Sequence, residues 1–412
     1  MVRNEIPPVL RAYYEAVTEA VASHGALAVA FTQVGSFYEA YGFEGNGHDI
    51  HELAEVLRPI VVTRRDKAVP ASASNPWFIG APCHAFPKYA SLLVDKGYTV
   101  VTLDQVQGDN GRIVPARRAS RVYSAGVPVE CRDDTNIVMC VLYEETVLGA
   151  RASAATVDIV TGETTCAQFT GMDDDRKLAL DGAAALARRV SPKETVIIGP
   201  APDPLPASFG FARRDARLSA IQVEGIARLV YGDLPLLDIR ERVGLGRHPS
   251  CFEALAVALN FAWRRDETCI RGVGLPEILE SDQSLDIQDT SLRQLDISER
   301  GLLSCVARPK TAPGRRLLLT RVTRPSANAM EIRSRHARVA ERITMGDFDD
   351  KRRELAKCTD LERFAKRLAR GAVPPSEWAS VARTLEVIES ECAARAPELV
   401  TFLSESLVLD LC

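Results

Sequence analysis

Residues 34–44 read VGSFYEAYGFE and set an aromatic pair and a carboxylate directly behind a glycine. Three chemistries fit that grouping: core packing, acid catalysis, or a probe for a flat partner such as a base. LAVAFTQV (27–34) is a short apolar, partly β-branched run and predicts a strand ending at the glycine. Gly35 permits a tight turn, after which Phe37 and Glu39 share one strand face while Tyr38 takes the other. An exposed Phe beside an exposed Glu makes a poor core and a poor salt bridge. The same two groups suit a nucleic-acid wedge, because an apolar side chain driven between base steps unstacks and kinks a duplex. Phosphates repel a carboxylate, so Glu39 is tolerable there only where a base offers it a donor. Unstacking costs roughly a few kcal/mol, and least at a mispair. Glu39 would then act against an intact stack and in favour of a displaced base. On spacing alone, core packing and the wedge both stay open.

A wedge needs phosphate affinity from elsewhere. Arg58, Arg64, Arg65 and Lys67 form one basic cluster, and Arg112, Arg117, Arg118 and Arg121 form another. With Lys88 these are the candidate contacts to a nucleic-acid backbone, which add salt-dependent affinity without sequence information. The bland alternative for each cluster is a solvated charged face. Other chemistries find less support. The ten cysteines are scattered with no C-x-x-C, so Cys83–His84 and the His48/His51 pair are the only hints of a metal, short of the four ligands a zinc site needs. Asp158 and Glu163 flank a strand–turn–strand like that opening a ribonuclease-H-like sheet, but cleavage there needs about three or four convergent carboxylates. No partner stands at the ends of NIVMCVLY (136–143) or ETVIIG (194–199). G-x-x-x-x-G-K-[ST], G-x-S-x-G and H-E-x-x-H do not occur, so no enzymatic activity and no cofactor are expected of this chain.

The positioning elements follow from periodicity. Helices are predicted over 8–23, 48–57 and 86–97, with strands over 27–34, 58–65 and 98–106. Residues 112–128 are basic and aperiodic and read as a linker. A second α/β unit has strands over 136–143, 148–160, 163–169 and 194–199 and a helix over 176–190. From about 217 the pattern turns helical, over 218–231, 250–265, 286–297, 311–322, 326–345, 359–370 and 375–392. The fold class is thus multidomain: α/β, then α/β, then all-α. With 412 residues, 46% hydrophobic, 26% charged and a net charge of −4, the chain has the composition of a soluble globular protein and not of a polycation. No apolar run suits a membrane span, and the first residues do not look like a secretory or transit leader, so a cytoplasmic setting is expected.

These residues resemble a known family. GSFYEAYG (35–42) is similar to the G-x-F-Y-E motif of the mismatch-binding domain of MutS proteins, the recognition factors of DNA mismatch repair. GAPCHAFPKYASLLVDKGYTVVTLDQV (80–106) resembles a later part of that domain. LLSCVARPKTAPGRRLLLTRVTRP (302–325) and CTDLERFAKRLARGAVPPSEW (358–378) are similar to two stretches of the family's core region. The segment 63–78 and the form VGSFYEAYG look most like the divergent branch of large viruses, some bacteria and octocoral mitochondria. The resemblance implies a mismatch-binding domain (1–113), a basic linker (114–132), a ribonuclease-H-like connector without nuclease activity (133–215) and part of an all-α core and lever region (217–412). It implies that Phe37 stacks on the mispaired base and Glu39 hydrogen-bonds it. The partner would be double-stranded DNA with a mismatch or small loop, together with downstream repair proteins. The family's DNA clamp and its ATPase, with ATP, Mg and most of the homodimer interface, would lie beyond residue 412. A competing expectation is an interaction module that docks repair partners or a separate ATPase subunit, with vestigial DNA binding.

Overall fold

The computed structural model describes residues 6–107, 113–128, 134–279, 285, 287, 289–296, 301, 308–346 and 348–392. Helix α1 (Pro8–His24) starts on a proline, whose missing N–H costs nothing in a first turn, and buries Leu10, Tyr13, Val17 and Ala20 at helical spacing. The first sheet contains β1 (Ala28–Val34), β2 (Phe37–Phe43), β3 (Asn46–Gly47), β4 (Trp77–Pro82), β5 (Thr99–Gln107) and β6 (Ile113–Tyr123). Its order is β3-β2-β1-β5-β6, with β4 added on β2. Strand β1 runs antiparallel to β2 and parallel to β5. Alternation sends Ala28 and Ala30 of β1 toward α1, and Val29 and Phe31 toward α2 (Ile50–Val56) and α3 (Phe86–Val94) on the other face.

Two expectations for this unit change. Residues 58–65 form no strand: only Thr63 pairs, in a single bridge to Phe78. Pro59 removes a ladder donor, and Arg64 and Arg65 turn toward Trp77 and Tyr41. Residues 113–123, expected as a linker, form β6 antiparallel to β5. The register shifts at Thr102/Leu103 and again at Gln105/Gln107, and such irregularity blurs the two-residue period by which a strand is read.

The second sheet is built from β7 (Ile137–Thr146), β8 (Gly149–Asp158), β9 (Thr164–Met172), β10 (Glu194–Ile198), β11 (Phe211–Asp215) and β12 (Glu277–Leu279), in the order β11-β10-β7-β8-β9-β12. Helix α4 (Lys177–Val190) lays Ala179, Ala183, Ala184 and Ala187 against Met139 and Val141, close packing that small side chains allow. Helices α5 (Ala220–Tyr231), α6 (Leu236–Arg242) and α7 (Pro249–Trp263) cover the opposite face over Val138, Cys140 and Leu142. The helical pattern from 217 therefore does not open a separate unit. Its first three helices are the second layer of this sheet, and β12 returns to the sheet after them. The two sheets meet at Arg213, which pairs with Glu194 at 3.0 Å and donates to the His24 carbonyl at 3.0 Å.

The remaining described helices are α8 (Asp289–Gln294), α9 (Ala312–Thr323), α10 (Ala329–Met345), α11 (Phe348–Leu355), α12 (Leu361–Ala369) and α13 (Trp378–Cys392). Arg316 of α9 donates to both carboxylate oxygens of Asp360, at 2.7 and 2.9 Å, and to Glu362. Lys366 of α12 is 2% exposed and donates to the Cys269 carbonyl at 2.9 Å, fastening α12 to the second unit. Among the described residues, no helix is long and apolar enough to cross a membrane.

Candidate nucleic-acid interface

The hairpin between β1 and β2 turns through Gly35 and Ser36, which leaves Val34 directly opposite Phe37. Gly35 has a φ of 60°, in the left-handed region where a side chain is strained. Phe37 is the first residue of β2 and is 43% exposed. On its other side β2 pairs with β4, with Phe37 opposite Pro82 and Glu39 opposite Gly80. A Cβ on Gly80 would stand 3.3 Å from Glu39 Cγ and 4.0 Å from Phe37 Cδ1. Both side chains therefore lean over the bare backbone of Gly80 and share one face of the sheet. Tyr38 takes the other face: its ring lies 4.4 Å from that of Phe86, and its hydroxyl donates to Asp104 Oδ1 at 2.6 Å. Burial and the Asp104 carboxylate raise the Tyr38 phenol well above its usual range. The alternation read from the sequence thus holds in the structure.

Glu39 is held rather than loose. Its side chain is 13% exposed, and Oε2 accepts from the Tyr41 hydroxyl and from Arg65 Nη2, the latter at 3.0 Å. The same Nη2 donates to the Tyr41 oxygen at 2.8 Å, and the guanidinium lies 5.8 Å from the Tyr41 ring centroid. Tyr41 is fully buried and packs edge-on against Tyr13 of α1 at 5.2 Å. Burial, followed by the bond to Glu39, raises its phenol, so Tyr41 keeps its proton and donates it.

The basic candidates are less uniform than their clustering suggests. Arg58, in the turn after α2, is exposed and stands 3.7 Å from Glu55. Arg64 lies over the Trp77 ring at 4.5 Å and donates to the Val69 carbonyl at 3.3 Å. Lys67 and Lys88 are exposed. Lys88 sits in the first turn of α3, close after Cys83, whose N–H donates to the Ser36 carbonyl of the hairpin at 2.8 Å. Arg117 and Arg118 stand on β6 opposite Gln105 and Asp104, with β1 and β5 between them and the hairpin strand. That is about 14 Å across the sheet. Arg112 lies outside the described residues.

Two groups behind the alternative chemistries, His48 and Asp158, have partners within the fold. His48 Nε2 accepts the Ala30 N–H at 2.8 Å, and burial lowers the imidazole to about 4, so this ring is a neutral acceptor. No group of three or more His, Cys, Asp or Glu that could hold a metal occurs among the described residues. Asp158 is 4% exposed and accepts from the Asn136 and Val160 N–H groups and the Thr161 hydroxyl, at 3.0, 2.9 and 2.9 Å. It caps its own turn, with hydrogen bonds to both of its oxygens. Sequence reasoning missed Tyr41, Gly80 and the engagement of Arg65 with Glu39. The strand alternation that places Phe37 and Glu39 together also places Tyr41 beside them, and this was the available signal.

The family model for MutS domain I matches residues 12–131, and that for MutS domain III matches residues 281–410. Together they cover more than half of the chain. The DNA mismatch repair protein MutS of Syntrophomonas wolfei is 24% identical, over 90% of this chain and 43% of its own length. That of Synechococcus elongatus is 23% identical, over 98% and 45%. A putative DNA mismatch repair protein mutS homolog of Acanthamoeba polyphaga mimivirus is 24% identical, over 86% and 36%. The chain thus spans less than half the length of the curated relatives it matches. With a domain I match that contains the Phe37–Glu39 hairpin and a domain III match over the last helices, the chain belongs to the MutS DNA mismatch-repair family.

Proposed function

We propose that this chain recognises mispaired or looped duplex DNA, with Phe37 as the wedge stacked on the displaced base and Glu39 as the acceptor for one of its donors. The observation that carries this reading is the placement of Phe37 and Glu39 side by side over Gly80, with Phe37 exposed at the tip of a hairpin. Phe37 lies on the face that α1 covers, yet at the hairpin end of β2 it stays 43% exposed, while Tyr41 further along the same face is buried. Lys67 and Lys88, both exposed, are the candidates for sequence-independent affinity to phosphates. The second unit serves as a connector of ribonuclease-H-like type. Its strand order β9-β8-β7-β10-β11 supports that reading, and the internal capping by Asp158 supports a connector without nuclease chemistry. The 412 residues contain no phosphate-cradling glycine loop, so no step of this reading runs through ATP. A cytoplasmic setting and work with downstream repair proteins belong to the same proposal.

Phe37→Ala tests it directly. In a low-salt shift assay, the parent is expected to prefer a duplex with one G·T pair over homoduplex, and the variant to lose that preference. If the variant binds the mismatched duplex as well as the parent does, the wedge reading fails. One observation favours a second reading, a docking module for repair partners with vestigial DNA binding: α9 and α10 bury none of their residues. That reading requires a parent protein without DNA affinity even at low salt.

A further inference from the structure

Arg65, one of the candidate backbone contacts, is engaged within the fold by Glu39 and Tyr41. The Thr63–Phe78 bridge pins its segment alongside β4, with N–H to carbonyl distances of 3.0 and 2.9 Å. Beyond it, Asn75 ties the following loop together: its side-chain amide donates to the Asp66 and Val69 carbonyls at 2.8 and 3.1 Å, and its side-chain oxygen accepts the Asp66 N–H at 3.2 Å. Arg65 leaves this anchored loop and crosses to β2, where one nitrogen, Nη2, serves both Glu39 Oε2 and the Tyr41 hydroxyl.

Two consequences follow for the carboxylate. Both of its donors fall on Oε2, and Oε1 receives none from the described residues, so the rotation of the group is set with one oxygen held back. The guanidinium also offsets the negative charge that a duplex would otherwise repel. Partial burial of Glu39 makes this more than a screened surface pair, since an ion pair between fully exposed partners is worth roughly 0–1 kcal/mol.

Resting on the mismatch reading above, we propose that Arg65 is a positioning residue for Glu39. With Tyr41 it holds Oε2, so that the carboxylate meets DNA as a neutral pair and presents Oε1 to a base donor. Arg65 is then not an independent phosphate contact. The two roles differ in their dependence on Glu39. A phosphate contact costs the same whichever residue stands at position 39, whereas a charge-balancing partner loses its task when that residue is an uncharged amide.

The test is a double-mutant cycle of Arg65→Met and Glu39→Gln, read as affinity for a fluorescein-labelled duplex with one G·T pair at low salt. Arg65→Met is expected to weaken binding about ten-fold in the parent, in keeping with couplings between close charge pairs, and less than about two-fold beside Glu39→Gln. Arg65→Lys, which keeps the charge but lacks a nitrogen fork, should recover part of the loss. Equal costs of Arg65→Met in both backgrounds, or no cost in either, overturn the positioning role. A purely structural role would also give equal costs. Phe37→Ala measured alongside separates the two ideas: if it abolishes mismatch preference while the Arg65 and Glu39 costs simply add, only the positioning role falls. If Phe37→Ala binds like the parent, both fall.

Discussion

The Tyr38 hydroxyl donates to Asp104 Oδ1 at 2.6 Å, reaching from β2 past β1 to β5. This bond locks the middle residue of the Phe-Tyr-Glu triplet on the face covered by α2 and α3, beside Phe86. Its two neighbours are thereby committed to the opposite side. The hydrogen bond belongs to packing, and the flanking pair is the one proposed for recognition.

Tyr38→Phe keeps the ring and removes the donor to a carboxylate. A hydrogen bond to a charged group contributes about 1.5–3 kcal/mol, and partial exposure of Tyr38 reduces this to about 1 kcal/mol. Urea unfolding should show that loss, while the ratio of mismatch to homoduplex affinity stays at the parent value. A collapse of the ratio would place Tyr38 in recognition and contradict the division of the triplet.

Gly80→Val adds branched carbon where even a Cβ would stand 3.3 Å from Glu39 Cγ. Its two further methyl groups crowd Phe37 and Glu39 without touching the duplex themselves. Mismatch preference should fall about ten-fold, the cost of roughly 1.4 kcal/mol of displaced geometry. Circular dichroism should show the fold retained. Gly80→Ala should be milder, because the flexible Glu39 side chain can give by a few tenths of an ångström. Unchanged preference in the valine variant would mean that this face does not meet DNA.

Burial lowers the Lys366 ammonium to about 8 from an ordinary value of 10.5. Between these two values the unfolded chain binds more protons than the folded one, so stability rises as pH climbs from about 8 toward 10.5. Below 8 the penalty for the buried charge is present in full. Lys366→Met removes the charge and keeps the stem, so its stability gain over the parent should be larger at pH 7.5 than at pH 10. Denaturant midpoints at the two pH values measure it. A gain that does not vary with pH would show that the lysine does not titrate in the fold.

Legibility in the sequence followed locality. Helices such as α9, α10 and α13 and strands β1, β5 and β7–β9 carry apolar periods of their own, which long-range packing does not disturb. Strand β6 did not, because shifts in its register with β5 blur its two-residue period, and β12 did not, because three residues are too few to show one. In the site, Phe37 and Glu39 were legible as neighbours on one face because strand alternation is a local rule. Arg65 stands 26 residues from Glu39, and only the Thr63–Phe78 bridge brings it near. Read as one of four clustered cations, it looked like a phosphate contact. Gly80 was invisible for the same reason: its bareness matters only to residues on a paired strand. The boundary expected at 217 failed because helical periodicity does not say which core a helix covers, and α5–α7 cover the second sheet.

Strand β12 has a practical meaning for anyone dividing this polypeptide. It supplies the three residues of one rim of the second sheet, Glu277–Leu279, parallel to Thr165–Ala167 of β9, more than a hundred residues further along the chain. A shortened chain ending at α7 would keep both helical layers yet strip that rim and uncover the hydrogen-bonding groups of β9. Bare strand rims invite association with other copies. An N-terminal piece meant to remain monomeric should therefore extend through Leu279, well past the point where its last covering helix ends.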